Sequence, residues 1–386
     1  MSLDAASIAS FAYTQGQVYF VDQDTLCTAT GNGLVAYSLG KLDQQRHVWG
    51  DDSRNGASLG SFVLGCAPTG GIVAYAAQDY PGDVTVARGP SLTPMKKLKV
   101  GAELGYKELA VSRCRAHVAV VAGLPDFQLT IWDWLEEKQV AAYSAGQAFT
   151  GCGLSFFPAT SSVAVTLGER KAVVIRFDLT TSSPSVQHAE IDLSILSNDE
   201  RITSHAWTEA RELYIGTSHG RILRVPEAAP DPSPAPRWGQ GRGPPLVAAP
   251  ISLPKTAALG KKVRVAGIVA TKRHIIVANA QEGGTGVVIW YNRHVSAISD
   301  SDTMAISHVC QLDEPGLCWL AVDPEFRNLV VGSISGSLAV LQVDVNATDS
   351  LKLSTTVLKV GQFFGGPVTG VSALPHSMSA AAAEDG

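Results

Sequence analysis

HVAVVAGLPDFQLTIWDW, residues 117 to 134, holds two short apolar runs joined by a tight turn at Pro125 and Asp126. Proline presets a bend and aspartate tolerates one, so the stretch is a β-hairpin. The same unit recurs along the chain. It appears earlier as VYFVD followed by LVAYSL (18 to 39) and as GIVAYAAQDYPGDVTVAR (71 to 88). It returns as SVAVTLGERKAVVIRFDL (162 to 179), ELYIGTSHGRILRV (212 to 225), HIIVANAQEGGTGVVIWYN (274 to 292) and NLVVGSISGSLAVLQV (328 to 343). Polar and apolar residues alternate only partly in these strands, as in sheets buried on both faces.

Spacing converts seven hairpins into an architecture. The matching position of each later strand is Tyr37, Ala87, Trp132, Arg176, Arg224, Trp290 and Leu341, giving steps of 50, 45, 44, 48, 66 and 51 residues. Five of the six steps fit the blade length of a four-stranded propeller, about 40 to 50 residues. Candidate inner strands precede the hairpins (SIASFAY, SFVLGCAP, KELAVSR, CGLSFFP, SHAWTEA, KVRVAGIVA, GLCWLAVDP), and candidate outer strands follow most of them (RHVWG, KKLKV, KQVAAYS, STTVLKV). The fold class read from this pattern is all-β, a seven-bladed WD40-like β-propeller of four-stranded antiparallel blades. One domain is expected over 7 to 374, with blades near 7–50, 60–100, 106–144, 150–191, 202–252, 262–312 and 316–361. Helical periodicity is weak, and the one run worth testing is AEIDLSILSNDER (189 to 201).

The step of 66 residues marks an insertion. Residues 226 to 254 hold nine of the 20 prolines and are expected to form a loop between blades five and six, because proline fixes φ and removes a donor. Near the end, PVTGVSAL (367 to 374) reads as an inner strand that either closes the ring or opens a further blade or second propeller. Residues 375 to 386 are expected to be a disordered tail, or to belong to that further unit.

Composition narrows the function. The net charge of -5 argues against a dedicated nucleic-acid binder, and 45% hydrophobic residues supply a sizeable core. Six scattered cysteines form no C-x-x-C, which points to small buried thiols and no zinc or disulfide framework. No signal-peptide pattern or long apolar span is read, so a cytoplasmic, non-membrane setting is expected. No nucleophile elbow of G-x-S-x-G type and no H-E-x-x-H is read in the chain, and the Gly260 region lacks the P-loop spacing. The expectation is a non-enzyme without cofactor or metal. Catalysis built around a central channel stays as an alternative from fold analogy.

Three features stand out as candidate contacts. Trp132 and Trp134 share one face of a strand and are expected to pack between adjacent blades. The LPDFQ loop (124 to 128) is an ordinary hairpin connection, or else it offers Phe127 as a surface contact. The insertion and the following strand carry Arg237, Arg242, Lys255, Lys261, Lys262 and Arg264 against Glu227 and Asp231, a local +4. Such a stretch is either a solvated loop or a contact for an acidic surface, with Trp238 as its aromatic anchor. Protein-binding candidates are therefore Arg237, Trp238, Arg242, Lys261, Lys262 and Phe127.

The phrase LPDFQLTIWDW (124 to 134) resembles a hairpin of large ciliary and flagellar WD-repeat proteins, nearest to those forming the tether and tether-head of an inner dynein arm. Similar stretches are FAYTQGQVYFVDQDTLCTATGNGLVAYSL (11 to 39), KLKVGAELGYKELAVSRCRAHVAVVAGLPDF (97 to 127) and SHAWTEARELYIGTSHGRILRV (204 to 225). The resemblance covers roughly residues 10 to 225 and weakens after the insertion. Members of that family are longer, with a second propeller and a coiled-coil tail. The resemblance implies a non-catalytic scaffold in the cilium or flagellum axoneme. Its implied partners are another WD-repeat tether subunit, inner dynein arm components and tubulin of the doublet. A cytosolic adaptor of another kind, in trafficking or as a ubiquitin-ligase substrate receptor, fits the same propeller.

Overall fold

The computed structural model describes residues 18–30, 33–39, 41–49, 63–76, 82–178, 185–229, 245–254, 263–271, 274–281, 285–294, 303–333, 338–343, 353–356, 368–373 and 379–383. Among the described residues seven sheets of four or five strands follow one another along the chain, each ordered from an inner to an outer strand and antiparallel apart from one short added strand in blade four. Blade three shows the plan: Tyr106–Val111 innermost, then His117–Ala122, Gln128–Asp133 and Lys138–Ser144. The fold is the seven-bladed propeller that the hairpin spacing predicts.

The core consists of seams between blades. In the second strand of blade three, Val118, Val120 and Ala122 pack with blade two, whereas Ala119 and Val121 pack with blade four. Strand periodicity of two therefore sends alternate side chains to opposite neighbours. This is why the alternation of polar and apolar residues is weak: both faces are interior. Seven apolar clusters result, one for each pair of adjacent blades. Trp132 and Trp134 lie in the seam between blades two and three, as their spacing predicts, only 9% and 4% exposed. The Trp132 indole donates to Thr130 Oγ1 at 3.0 Å, and that of Trp134 to the Arg115 carbonyl.

Blade one departs from the expected order. Its innermost strand is Val18–Phe20, which the hairpin pattern placed one position further out; SIASFAY lies outside the described residues. Val18 and Phe20 pack with Trp319, Ala321, Val330 and Val340 of blade seven, so the ring closes through side chains. Among the described residues blade one is built from 18–49 and blade seven from 317–356, with no strand exchanged between them. Val368–Ala373, within the PVTGVSAL segment, pairs with Ser379–Ala383 in a two-stranded sheet of its own. The AEIDLSILSNDER run is not helical: Val186–Asp192 is the outer strand of blade four, followed by turns.

Carboxylates shape several turns. Asp323, 1% exposed, accepts from the backbone N–H groups of Glu325 (2.7 Å), Arg327 (3.1 Å) and Asn328. Asp22 does the same for Asp24 and Thr25. A side-chain oxygen that satisfies turn amides explains why aspartate opens these bends.

Blades converge toward the axis, and small residues permit it. A Cβ on Gly65, in the inner strand of blade two, would stand 2.7 Å from the Leu109 carbonyl oxygen of blade three. One on Gly267, in blade six, would stand 2.6 Å from Leu320 Cβ of blade seven. In both places the obstacle is backbone or the rigid base of a side chain. Gly65→Ala and Gly267→Ala should each destabilise the propeller by about 1–3 kcal/mol through overpacking. Thermal unfolding followed by circular dichroism should show the lowered midpoint, with native secondary structure kept at low temperature.

Candidate interaction surfaces

The LPDFQ loop joins the second and third strands of blade three and is clamped on two sides. The Gly123 N–H donates to the Gly105 carbonyl at 2.8 Å, and the Glu103 N–H to Asp126 Oδ2 at 3.1 Å. Both bonds tie the loop to the connector arriving from blade two. On the other side, the N–H groups of Ala145 and Gly146, in the connector leaving for blade four, donate to the Phe127 carbonyl at 3.1 and 3.3 Å. The Phe127 N–H closes the loop on the Gly123 carbonyl at 2.9 Å, and Phe127 itself is held at φ 43°. A non-glycine residue adopts that backbone only when its surroundings enforce it.

Phe127 is half-buried. The apolar surface here comes from residues that the sequence did not single out, Leu124 at 55% and Leu104 at 70% exposure. Nothing in GAELGY marks Leu104, because its exposure follows from the way two remote loops are tied together.

Arg237, Trp238, Arg242, Lys261 and Lys262 lie outside the described residues. The two ends of the insertion are described, and its return differs from the expected uninterrupted loop. Leu246–Val247 adds to the outer strand of blade four in parallel, Leu246 opposite Ile191 and Val247 opposite Asp192. Ala249–Pro250 then serves as the outer strand of blade five. Proline is tolerated there because an edge strand needs fewer donors. Ala248, between the two short strands, is buried in the seam of blades four and five.

That seam also carries a buried ion pair. Glu200, 0% exposed, accepts from Arg221 Nε at 2.8 Å and from its Nη2. Arg170 Nη1 donates to the carbonyls of Ser197 (2.8 Å), Asn198 and Glu200 (3.3 Å) in the connector above it. Burial works to raise the Glu200 carboxyl, but hydrogen bonds from Arg221, Thr217 and Ser197 outweigh it and hold it down at about 2. His219 Nε2 stands 3.3 Å from Asp199 Oδ2.

Two pentapeptides do match the G-x-S-x-G pattern of a nucleophile elbow, which corrects the sequence reading: GASLG (56 to 60) and GTSHG (216 to 220). The first lies outside the described residues. The second is a hairpin turn in blade five, not a strand-to-helix elbow. Its Ser218 Oγ accepts from the Arg201 N–H at 3.0 Å, and Gly220 takes φ 73°.

Polar groups join the inner strands of blades three, four and five. Glu108 Oε1 accepts from the N–H groups of Gly151 and Gly153 (3.3 Å for the latter), while Oε2 is buried without a partner. Burial pushes this carboxyl up to about 7, against the pull of the two glycine amides. In blade five, His205 Nε2 lies 2.7 Å from Ser155 Oγ, which also accepts from Trp207 Nε1 at 3.1 Å. The serine oxygen can accept from the indole and still either donate to or accept from a neutral imidazole, according to its tautomer. Burial lowers His205 to about 4 and keeps it neutral. A Cβ on Gly153 would meet His205 Cε1 at 2.6 Å, so this glycine of blade four admits His205 of blade five on one side while its N–H donates to Glu108 of blade three on the other.

The two buried groups give opposite pH signatures. The fold favours protonated Glu108, so its contribution declines as pH rises from about 4.5 and is lost above about 7. It also favours neutral His205, so that contribution is lost as pH falls from about 6.5 toward 4. Glu108→Gln keeps the acceptor for the glycine amides and removes the charge. Its melting temperature should exceed that of the wild type at pH 8, with the decline between pH 6.5 and 8 flattened. An equal drop at every pH would show that the carboxyl charge is not the cause.

No family model matches the chain. It is 28% identical to cilia- and flagella-associated protein 43 of Xenopus laevis over 142 residues, covering 37% of this chain and 8% of that protein. It is 27% identical over 170 residues to the protein of the same name from Mus musculus, covering 40% and 9%. Cilia- and flagella-associated protein 44 of Chlamydomonas reinhardtii matches at 28% over 135 residues, covering 33% and 7%. Each match thus spans under a tenth of the curated relative. Among solved structures, U3-55K aligns with a TM-score of 0.55 at 12% identity, covering 84% of this chain and 90% of that one. The RRP9 WD40 repeats align at 0.54 and 14%, covering 86% and 92%. The Cps50 (Swd1) β-propeller domain of Myceliophteria thermophila aligns at 0.52 and 14%, covering 86% and 96%. At such identities the structural matches speak for the fold alone. Part of this chain is thus similar to cilia- and flagella-associated proteins 43 and 44, and its fold is that of a WD40 propeller.

Proposed function

We propose that this chain is a non-catalytic protein-interaction platform of the ciliary or flagellar axoneme, helping to tether inner dynein arm motor domains to the doublet microtubule. The observation that carries this reading is the similarity to cilia- and flagella-associated proteins 43 and 44, set on a propeller whose loops are braced for display. The hairpin phrase LPDFQLTIWDW supports the inner-arm assignment. The partners so implied are a second WD-repeat tether subunit, inner dynein arm components and doublet tubulin. In this reading Arg237, Trp238, Arg242, Lys261 and Lys262 contact an acidic surface such as a tubulin tail, and Phe127 belongs to a second contact.

Isolated cilia extracted in a salt series and blotted for the protein test the assignment. Retention on doublets through high salt, with loss of an inner dynein arm density when the protein is removed, is the expected result. A protein found wholly in a soluble complex, without an axonemal fraction, would discard the axonemal role and favour a cytosolic adaptor. Replacing Arg237, Arg242, Lys261 and Lys262 together by glutamine should weaken binding to acidic partners. Surface changes of this kind move stability by only about 0.5 kcal/mol each. Binding to taxol-stabilised microtubules before and after removal of the tubulin tails reads the effect. Unchanged binding returns the stretch to a solvated loop.

A further inference from the structure

Leu104 and Leu124 are two of the exposed leucines on the loops of blade three, and these two flank a single joint, whereas Leu135 stands apart on another turn. Leu104 sits between Glu103 and Gly105, both of which are hydrogen-bonded to the loop that carries Leu124. The joint is braced again by the bonds from Ala145 and Gly146 to Phe127. Two leucines are therefore held at the surface by a fixed backbone, at 70% and 55% exposure. Isolated exposed leucines need no explanation, but a rigid pair on neighbouring loops lowers the ordering cost of binding.

The charge around the pair is mixed, with carboxylates in excess. Glu103 and Asp126 are exposed at the joint itself, and Asp83 is exposed on the neighbouring blade two. Asp83 and Asp126 both lie near enough to the buried Tyr106 phenol to act on it. No ion pair neutralises these three carboxylates among the described residues; the nearby cations are Lys107, beside Gly123, and the exposed Lys99, on the strand paired with that of Asp83. Three carboxylates against two ammonium groups leave an acidic excess, which favours a cationic partner.

We propose that the Leu104–Leu124 joint is a docking site for a basic amphipathic peptide segment of a partner protein, one that sets apolar side chains between lysines or arginines. The leucine pair takes the apolar side chains, and Asp83, Glu103 and Asp126 take the cations. The site rests on the reading of this chain as a protein-binding platform and not on its axonemal placement. It is also opposite in charge preference to the basic insertion, so the two surfaces select different partners.

The test uses the full chain and a fluorescein-labelled peptide of repeated Leu-Lys-Lys-Leu units. Two counterparts carry serine for leucine or glutamate for lysine. Fluorescence anisotropy should show binding of the first peptide alone. Leu104→Ser and Leu124→Ser should each weaken it about tenfold, the scale expected for losing one apolar contact. Glu103→Gln with Asp83→Asn should weaken it further at low salt than at high salt. Asp126 is left intact because it holds the loop. All four substitutions are at exposed positions, and unchanged melting temperatures will separate lost binding from lost folding. Absence of binding, equal binding of the serine or glutamate counterparts, or indifference to the leucine variants would overturn the site. So would self-association of the chain that the leucine variants abolish, since the occupant would then be a second copy. Failure here with the protein still retained on doublets would remove this site and leave the axonemal reading intact.

Discussion

A sheet that is apolar on both faces has no stable existence by itself. Every blade here is such a sheet, and each needs a neighbour on either side. The alternation of Val118, Val120 and Ala122 toward blade two with Ala119 and Val121 toward blade four is that requirement written at single-residue scale. Repeating it around a ring satisfies every face without a terminal blade. The tight approach of inner strands at Gly65 and Gly267 follows, because wedge-shaped units can meet only where side chains shrink toward the axis.

Much of the fold was legible in the sequence because hairpins are local. Two apolar runs and a proline or glycine turn identify each one, and their spacing counts the blades. The parts that were misread depend on distant pairing. Val18–Phe20 was placed one strand too far out because its partner in blade seven is nearly 300 residues away in sequence and leaves no local mark. Leu246–Val247 and Ala249–Pro250 are strands of two residues in a proline-rich stretch, held by sheet edges that already exist. The contact surface shows the same limit. The LPDFQ phrase drew attention to Phe127, whereas Leu104 lies on a different connector that is brought beside this loop by the hydrogen bond from the Glu103 amide to Asp126.

Polar residues in the seams behave differently from the apolar majority. Glu200 with Arg221 is a compensated pair at the junction of blades four and five, and Arg170 uses the carbonyls of the same connector to fix its path. Glu108 is only half compensated, with one oxygen on glycine amides and the other without a partner. Breaking the first would strand a buried charge, whereas neutralising the second removes a cost. Buried carboxylates in one propeller can thus carry opposite signs of stability. Composition cannot distinguish them, because the difference lies in which donors the fold brings within reach.

The closure between blades seven and one has a mechanical meaning. Six seams of the ring are crossed by the polypeptide itself, so stretching them eventually loads a covalent connector. The seventh is held by Val18 and Phe20 against Trp319 and Ala321, with no strand shared across it among the described residues. Hoop tension therefore concentrates at one known place, and the ring behaves as a split washer. A body of this kind carries compression evenly and yields to outward pull at the slit first.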